Sequence, residues 1–115
     1  DNNQNLINIS GFHKLQAVGG LFVQVNSQLK SLEGLEHITS VKDYFWVNNN
    51  SQLTSLKGLG NINSLPEINV VENSNLTDFC SLKNYLTHNV NTIVQIRDNS
   101  YNPSINDIIN GNCSK

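Results

Sequence analysis

The apolar residues of this chain follow a repeating pattern. Two stretches, 26–38 and 50–62, carry the same arrangement of Ser-Gln, Leu, Gly and Ile at equivalent positions, so that Leu29 corresponds to Leu53. One repeat before the first stretch, the matching positions hold Leu6, Ile9, Gly11, Phe12, Leu15 and Val18. One repeat after the second, they hold Leu76, Phe79 and Leu82, with Ser81 in place of glycine. This regular recurrence predicts a solenoid whose turns bury their apolar faces on one another.

Short runs rich in β-branched and aromatic residues separate the leucine-rich segments, and each ends in Asn or Asp. These runs are Leu21–Asn26, Tyr44–Asn49, Ile68–Asn73 and Thr92–Asp98. One strand per turn predicts a parallel sheet with about 4.8 Å between strands. The opposite wall should contain short strands or irregular turns, because Gly34 and Gly58 would interrupt a long helix. We expect the glycine column, formed by Gly11, Gly34 and Gly58, to mark bends with positive φ or close backbone contacts.

Asparagine is the commonest residue and recurs at one corner of the predicted turns. The positions are Asn26, Asn50, Asn73 and Asn99, with Asn3 in the corresponding place of the first turn. Stacked asparagines can bond their side-chain amides to backbone groups of the next turn. We therefore expect a structural ladder here rather than a ligand site.

The end of the chain departs from the repeat. Ser104 can cap a short helix that buries Ile105, Ile108 and Ile109 and stops at Gly111. Such a helix would cover the last open layer of a solenoid. The sequence thus predicts a single domain, 1–115, with an incomplete first coil (1–20), further coils (21–89), and a last strand with its cap (90–115).

Composition narrows the possible partners. The chain is 37% hydrophobic and 14% charged with a net charge of −2, so it lacks the basic surface that nucleic-acid binding needs. No apolar run approaches the length of a membrane span. The chain has no Met, and we expect it to be a processed or excised piece that retains no signal peptide. We expect it to be the carboxyl-terminal part of a longer protein with more coils upstream.

The repeated Leu-x-Ser-Leu-x-Gly-Leu-x-x-Ile, with its Asn-rich corner, resembles the receptor-L-domain-like leucine-rich repeats of surface and secreted Bacteroidota proteins. The resemblance covers about residues 3–83. Residues 78–82, Asp-Phe-Cys-Ser-Leu, and 99–113, Asn-x-Tyr-Asn-Pro-Ser-x-x-Asp-Ile-x-x-Gly-x-Cys, resemble the closing cap of the same proteins. The resemblance implies a right-handed single-coil solenoid of about four to five turns. It also implies a cell-surface location and a binding or adhesive role, and it supplies no catalytic residues.

The two cysteines, Cys80 and Cys113, lie in the last coil and after the capping helix. A disulfide between them would clip the cap to the coil and contribute about 3–4 kcal/mol in the loop-entropy description. Two free thiols or a metal site are the alternatives, although no His lies at zinc-ligand spacing. We favour the disulfide, which implies an oxidising, extracytoplasmic compartment and, in a bacterium, the exterior of the outer membrane.

No pattern in the chain indicates catalysis. His13, His37 and His88 occupy three different repeat positions, and no nucleophile-elbow, phosphate-loop or zinc-protease motif is present. Asp98 and Asp107 lack the dense acidic spacing of a calcium loop. We expect a protein that is not an enzyme and has no cofactor.

The outward face of the sheet is the candidate binding surface. If Leu21, Tyr44, Ile68 and Val94 point inward, the alternate positions face out. The outward set is Phe22, Gln24, Phe45, Val47, Asn69, Val71, Ile93 and Gln95. An extra Asn after the second strand leaves a one-residue slip open, which would exchange Trp46 with Phe45 and Val47. Exposed aromatic and apolar patches mark partner surfaces.

These features predict an extracellular or cell-surface module that binds a protein or serves as a scaffold. The alternative is a carbohydrate-binding surface for glycan capture. Aromatic side chains flanked by Asn and Gln suit sugars, through stacking and amide hydrogen bonds. The sequence does not identify the ligand.

Overall fold

Four parallel strands form one sheet in this computed structural model, which describes residues 2–115. The strands follow chain order, with β1 at Ala17–Gln24, β2 at Ser40–Asn48, β3 at Ile68–Val71 and β4 at Val94–Arg97. The predicted parallel sheet is confirmed. β1 and β2 begin earlier than the predicted runs, because Val18 and Val41 extend the pairing upstream. Asp1, the first residue of the predicted domain, lies outside the described residues.

The remaining regular elements are short. One 3₁₀ turn spans Ser10–Phe12, a second spans Cys80–Leu82, α1 spans Lys83–His88 and α2 spans Ile105–Ile109. No helix among residues 2–115 is long and apolar enough to cross a bilayer.

The predicted cap at Ser104 is present at the start of α2. The Ser104 hydroxyl accepts from the backbone N–H of Asp107 at 3.1 Å. The Asp107 carboxylate in turn accepts from the Ser104 backbone N–H at 2.9 Å and from its hydroxyl at 2.7 Å. These reciprocal bonds satisfy donors that a helix N-terminus leaves open, and they hold the pKa of Asp107 below its ordinary value.

The leucines of the duplicated segments form the centre of the core, as predicted. Those with 3% exposure or less are Leu29, Leu32, Leu35, Leu53, Leu56 and Leu59. Phe79 and Leu82 continue the same columns and are also buried, while Leu6 and Leu15 at the other end are half-buried. Burial is therefore complete in the middle of the repeat and partial at its start.

Segments that lie one repeat apart are joined by backbone hydrogen bonds. On the wall opposite the sheet, the Thr54 N–H donates to the Lys30 carbonyl at 3.1 Å, and the Thr77 N–H donates to the Thr54 carbonyl at 3.1 Å. An isolated parallel bridge joins Ser55 to Asp78 on this wall, and another joins Ser64 to Ser40 at the start of β2. The wall thus consists of turns and single bridges rather than a long helix, as Gly34 and Gly58 predict.

The expectation for the glycine column is confirmed at Gly34 and Gly58 and is wrong at Gly11, which has neither a positive φ nor any atom within 4 Å of its Cβ position. Gly34 and Gly58 have φ values of 110° and 115°. A Cβ at position 34 would collide with the Ile9 carbonyl, and one at position 58 would collide with the Leu32 carbonyl. Glycine is needed here because neighbouring segments approach each other through their backbones.

The corner asparagines form a continuous ladder. The Asn26 N–H donates to the Asn50 Oδ1 at 3.1 Å, and the Asn50 N–H donates to the Asn73 Oδ1 at 3.0 Å. The ladder continues from the Asn73 N–H to the Asn99 Oδ1 at 3.0 Å. At the amino end, the Asn3 N–H donates to the Asn26 Oδ1 at 3.2 Å. Each buried side chain thereby satisfies backbone groups that leave the sheet at the corner.

A disulfide joins Cys80 to Cys113, as predicted. It ties the segment after α2 to the last leucine-rich segment. The Phe79 N–H donates to the Cys113 carbonyl at 2.8 Å, and the Lys115 N–H donates to the Thr77 carbonyl at 3.2 Å. The end of the chain therefore pairs with the last leucine-rich segment and covers the edge that this segment would otherwise expose.

Candidate functional site

One irregularity between β1 and β2 determines which side chains face outward. Val18 pairs with Val41, but the next pair is Gly20 with Tyr44, so β2 has one residue more than β1 in this interval. The extra residue falls within Lys42–Asp43. Because side chains alternate across a strand, one inserted residue exchanges the two faces of everything that follows.

The predicted frame is consequently wrong for β2. Phe45 and Val47, expected on the outward binding face, are completely buried. Tyr44 and Trp46, expected inside, lie on the outward face, where Tyr44 is 51% exposed and Trp46 is half-buried. The prediction attributed the irregularity to the asparagines at the end of the strand, whereas the bulge lies before Tyr44.

The other strands have the predicted orientation. Val23, Ile68 and Val70 are buried. The expected outward residues Phe22, Gln24, Asn69, Ile93 and Gln95 are all exposed or half-buried. Val71 is the exception, since it lies in the outer row between Asn48 and Arg97 yet is only 5% exposed. Val71 therefore offers little surface to a ligand.

Three aromatic rings form a cluster on the outward face. The Phe22 ring centroid lies 5.7 Å from that of Tyr44 and 5.5 Å from that of Trp46, and the Tyr44 and Trp46 centroids are 5.8 Å apart. Both contacts of Trp46 are edge-to-face, a favourable geometry for aromatic pairs. Gly20 leaves the space that the Phe22 ring occupies, since a Cβ there would meet that ring at 2.5 Å.

The cluster continues into a row of amide side chains. In register across the four strands lie Phe22, Trp46, Asn69 and Gln95. Three strand spacings make this row about 14 Å long. None of its four side chains is charged, and in the next row the guanidinium of Arg97 pairs with the carboxylate of Asp98. The candidate site is this row together with Tyr44, called the aromatic–amide row below.

Two polar atoms within this row have no hydrogen-bond partner in the described part of the protein. They are the indole Nε1 of Trp46 and the side-chain oxygen of Asn69, and both are shielded from solvent. The Asn69 amide nitrogen donates weakly to the Gln95 Oε1 at 3.4 Å. Shielded polar atoms are normally paired, so an unpaired donor beside an unpaired acceptor is a specific feature of this face.

The sequence contains a pattern that predicts the outward orientation of Tyr44 and Trp46. The duplicated leucine-rich stretches align Asn26 with Asn50, and the same alignment carried back into the preceding strand places Phe22 with Trp46 and Val23 with Val47. The prediction instead aligned Leu21 with Tyr44, which is one residue short. Extending the stronger duplication upstream would have given the observed frame.

A concavity lies at the amino end of the repeat and borders the aromatic–amide row at Phe22. It measures about 550 Å³ and is lined mainly by apolar side chains of the first segment, including Leu6, Phe12 and Leu15. These residues occupy the same repeat positions as Leu29, Leu35 and Ile38, which are buried. The concavity is therefore the uncovered side of an apolar layer rather than an enclosed ligand pocket.

No metal centre is visible among residues 2–115, where no three His, Cys, Asp or Glu side chains are grouped suitably for a metal ion. His13, His37 and His88 are all exposed. The His88 Nδ1 lies 2.9 Å from the Asn84 carbonyl oxygen of its own helix. None of the three belongs to the aromatic–amide row.

Comparison of the chain with protein families, with curated proteins and with solved structures finds no match.

Proposed function

We propose that this chain is a non-enzymatic binding or scaffold module of an extracellular or cell-surface protein, and that the aromatic–amide row is its binding surface. The exposed cluster of Phe22, Tyr44 and Trp46 is the observation that carries the proposal. Aromatic side chains are enriched in the cores of protein interfaces, and burial of an exposed ring is a strong source of affinity.

The proposed architecture is a right-handed leucine-rich solenoid of about four to five turns, of the receptor-L-domain-like type. Backbone bonds between positions one repeat apart and the asparagine ladder support it. So do the buried leucine columns, which stack the same repeat positions on one another. Solenoids of this kind present a continuous, rigid sheet surface to their partners.

The proposed location is the cell exterior. The disulfide between Cys80 and Cys113 supports it, since such bonds persist in oxidising compartments.

The low charge of the outward row also suits contact with another protein surface, because little desolvation of charged groups is needed.

A site-specific cross-linking experiment tests the proposed surface. A photoreactive phenylalanine analogue is placed at Tyr44 on the outward face and, as a matched control, at exposed Lys57 on the opposite wall. Extracts of the cell surface or its surroundings supply the partner, which is then purified and titrated against the domain. We expect cross-linking from position 44 only, and loss of binding in Tyr44→Ser. Cross-linking from position 57 with unchanged binding in Tyr44→Ser would contradict the proposal.

A further inference from the structure

We propose that the aromatic–amide row binds a neutral carbohydrate chain, with Trp46 and Asn69 sharing one sugar hydroxyl. The inference rests on the proposed binding role of this face and names the class of ligand. It follows from the chemistry of the row rather than from the exposure of the rings alone.

The two unpaired atoms distinguish a sugar from an apolar partner. The Trp46 Nε1–H can only donate, and the Asn69 Oδ1 can only accept. A hydroxyl group does both, so one sugar hydroxyl can accept from the indole and donate to the amide. An apolar protein surface would leave both atoms unpaired, which is unfavourable.

The two residues are positioned for this role. Trp46 and Asn69 are direct partners in the register of β2 and β3, so their side chains emerge side by side on the outward face. Both side chains are half-buried. Both atoms are shielded from solvent, so a ligand must displace these side chains to reach them; the bond from the Asn69 amide to Gln95 is long at 3.4 Å and offers little resistance to this movement.

The surroundings complete a sugar-binding surface. On one side, the rings of Phe22 and Tyr44 offer apolar faces on which the C–H groups of a pyranose can pack. On the other side, the exposed Gln95 amide provides both a donor and an acceptor. The row is uncharged and about 14 Å long, which fits a short neutral oligosaccharide better than an acidic one.

The test follows amide and indole NMR signals during titration of the folded domain with chitohexaose, cellohexaose and mannohexaose. We expect at least one of them to cause saturable shifts of the Trp46 indole N–H and of the Asn69 and Gln95 side-chain amides. Trp46→Phe keeps a ring but removes the N–H, and it should weaken binding about tenfold. Val90→Ala, an exposed apolar change outside the sheet, should bind as the unaltered protein does.

Each outcome decides the inference. No saturable shift with any of the three oligosaccharides overturns it, as does binding that Trp46→Phe leaves unchanged. If a protein partner cross-links at Tyr44 while none of the sugars binds, the proposed binding role stands and the carbohydrate inference fails. If neither binds, both fail.

Discussion

Val25 has a backbone conformation that valine rarely adopts. Its φ is 55°, and Asn49, Glu72 and Asp98 repeat this left-handed conformation at the equivalent corners. For a residue with a Cβ the left-handed region costs about 1–2 kcal/mol, whereas Asn tolerates it better. Because Val25 is 47% exposed, its side chain contributes little burial in return.

We therefore expect Val25→Asn to stabilise the protein by about 1 kcal/mol. Urea denaturation of both proteins measures the difference. Val90→Asn is the matched control, since Val90 is similarly exposed but does not have positive φ. An equal gain in both variants, or no gain at position 25, would show that the left-handed corner is not strained.

A substitution at Gly58 should destabilise the protein, in contrast to the one at Val25. An Ala at this position would combine a φ of 115° with a collision against the Leu32 carbonyl, so we expect a loss of at least about 2 kcal/mol. Gly60→Ala is the control, because a Cβ there would meet nothing within 4 Å, and it should change stability by less than about 0.5 kcal/mol. Thermal denaturation compares the two, and similar losses would argue against close packing of segments at Gly58.

At the level of elements, the leucine-rich segments follow directly from the sequence, whereas the frame of β2 follows only when the duplication at Asn26 and Asn50 is extended upstream into the strand. Leucines at fixed offsets carry a strong burial signal, because a repeated segment buries the same positions in every copy. The bulge at Lys42–Asp43 carries no comparable burial signal. Both residues are polar and exposed, so the hydrophobic pattern does not show which of them is inserted. The unpaired atoms of Trp46 and Asn69 depend on side-chain packing, which the sequence pattern does not encode.

The stacked leucines should dominate the stability of the central segments. Leu56 is completely buried between neighbouring segments, so we expect Leu56→Ala to cost about 2–5 kcal/mol through lost burial and an unfilled cavity. Leu15→Ala, in the half-buried first layer, should cost clearly less. Chemical denaturation gives both values. A loss at Leu56 no larger than about 0.5 kcal/mol, the range of an ordinary surface substitution, would contradict the stacked register.

Across the whole molecule, the two ends of the repeat differ. The carboxyl-terminal segment is covered by α2 and joined by the disulfide, whereas the first layer borders the apolar concavity and leaves Phe12 50% exposed. Fewer buried contacts lower the free energy of local opening.

We expect backbone amides in residues 6–18 to exchange with solvent much faster than those in residues 45–59. Hydrogen exchange at a concentration where the domain is a confirmed monomer gives the comparison. Equal protection of the two segments would show that the first layer is as stable as the centre.

The most direct test of the central claim, that the aromatic–amide row is the binding surface, uses Trp46 fluorescence. Trp46 is the chain's only tryptophan, so its emission reports on this face alone. Titration with the cross-linked partner, or with an oligosaccharide that shifts the indole signal, should change the emission and saturate at the same concentrations as calorimetric binding. Calorimetric binding with unchanged Trp46 emission would place the ligand elsewhere and contradict the claim.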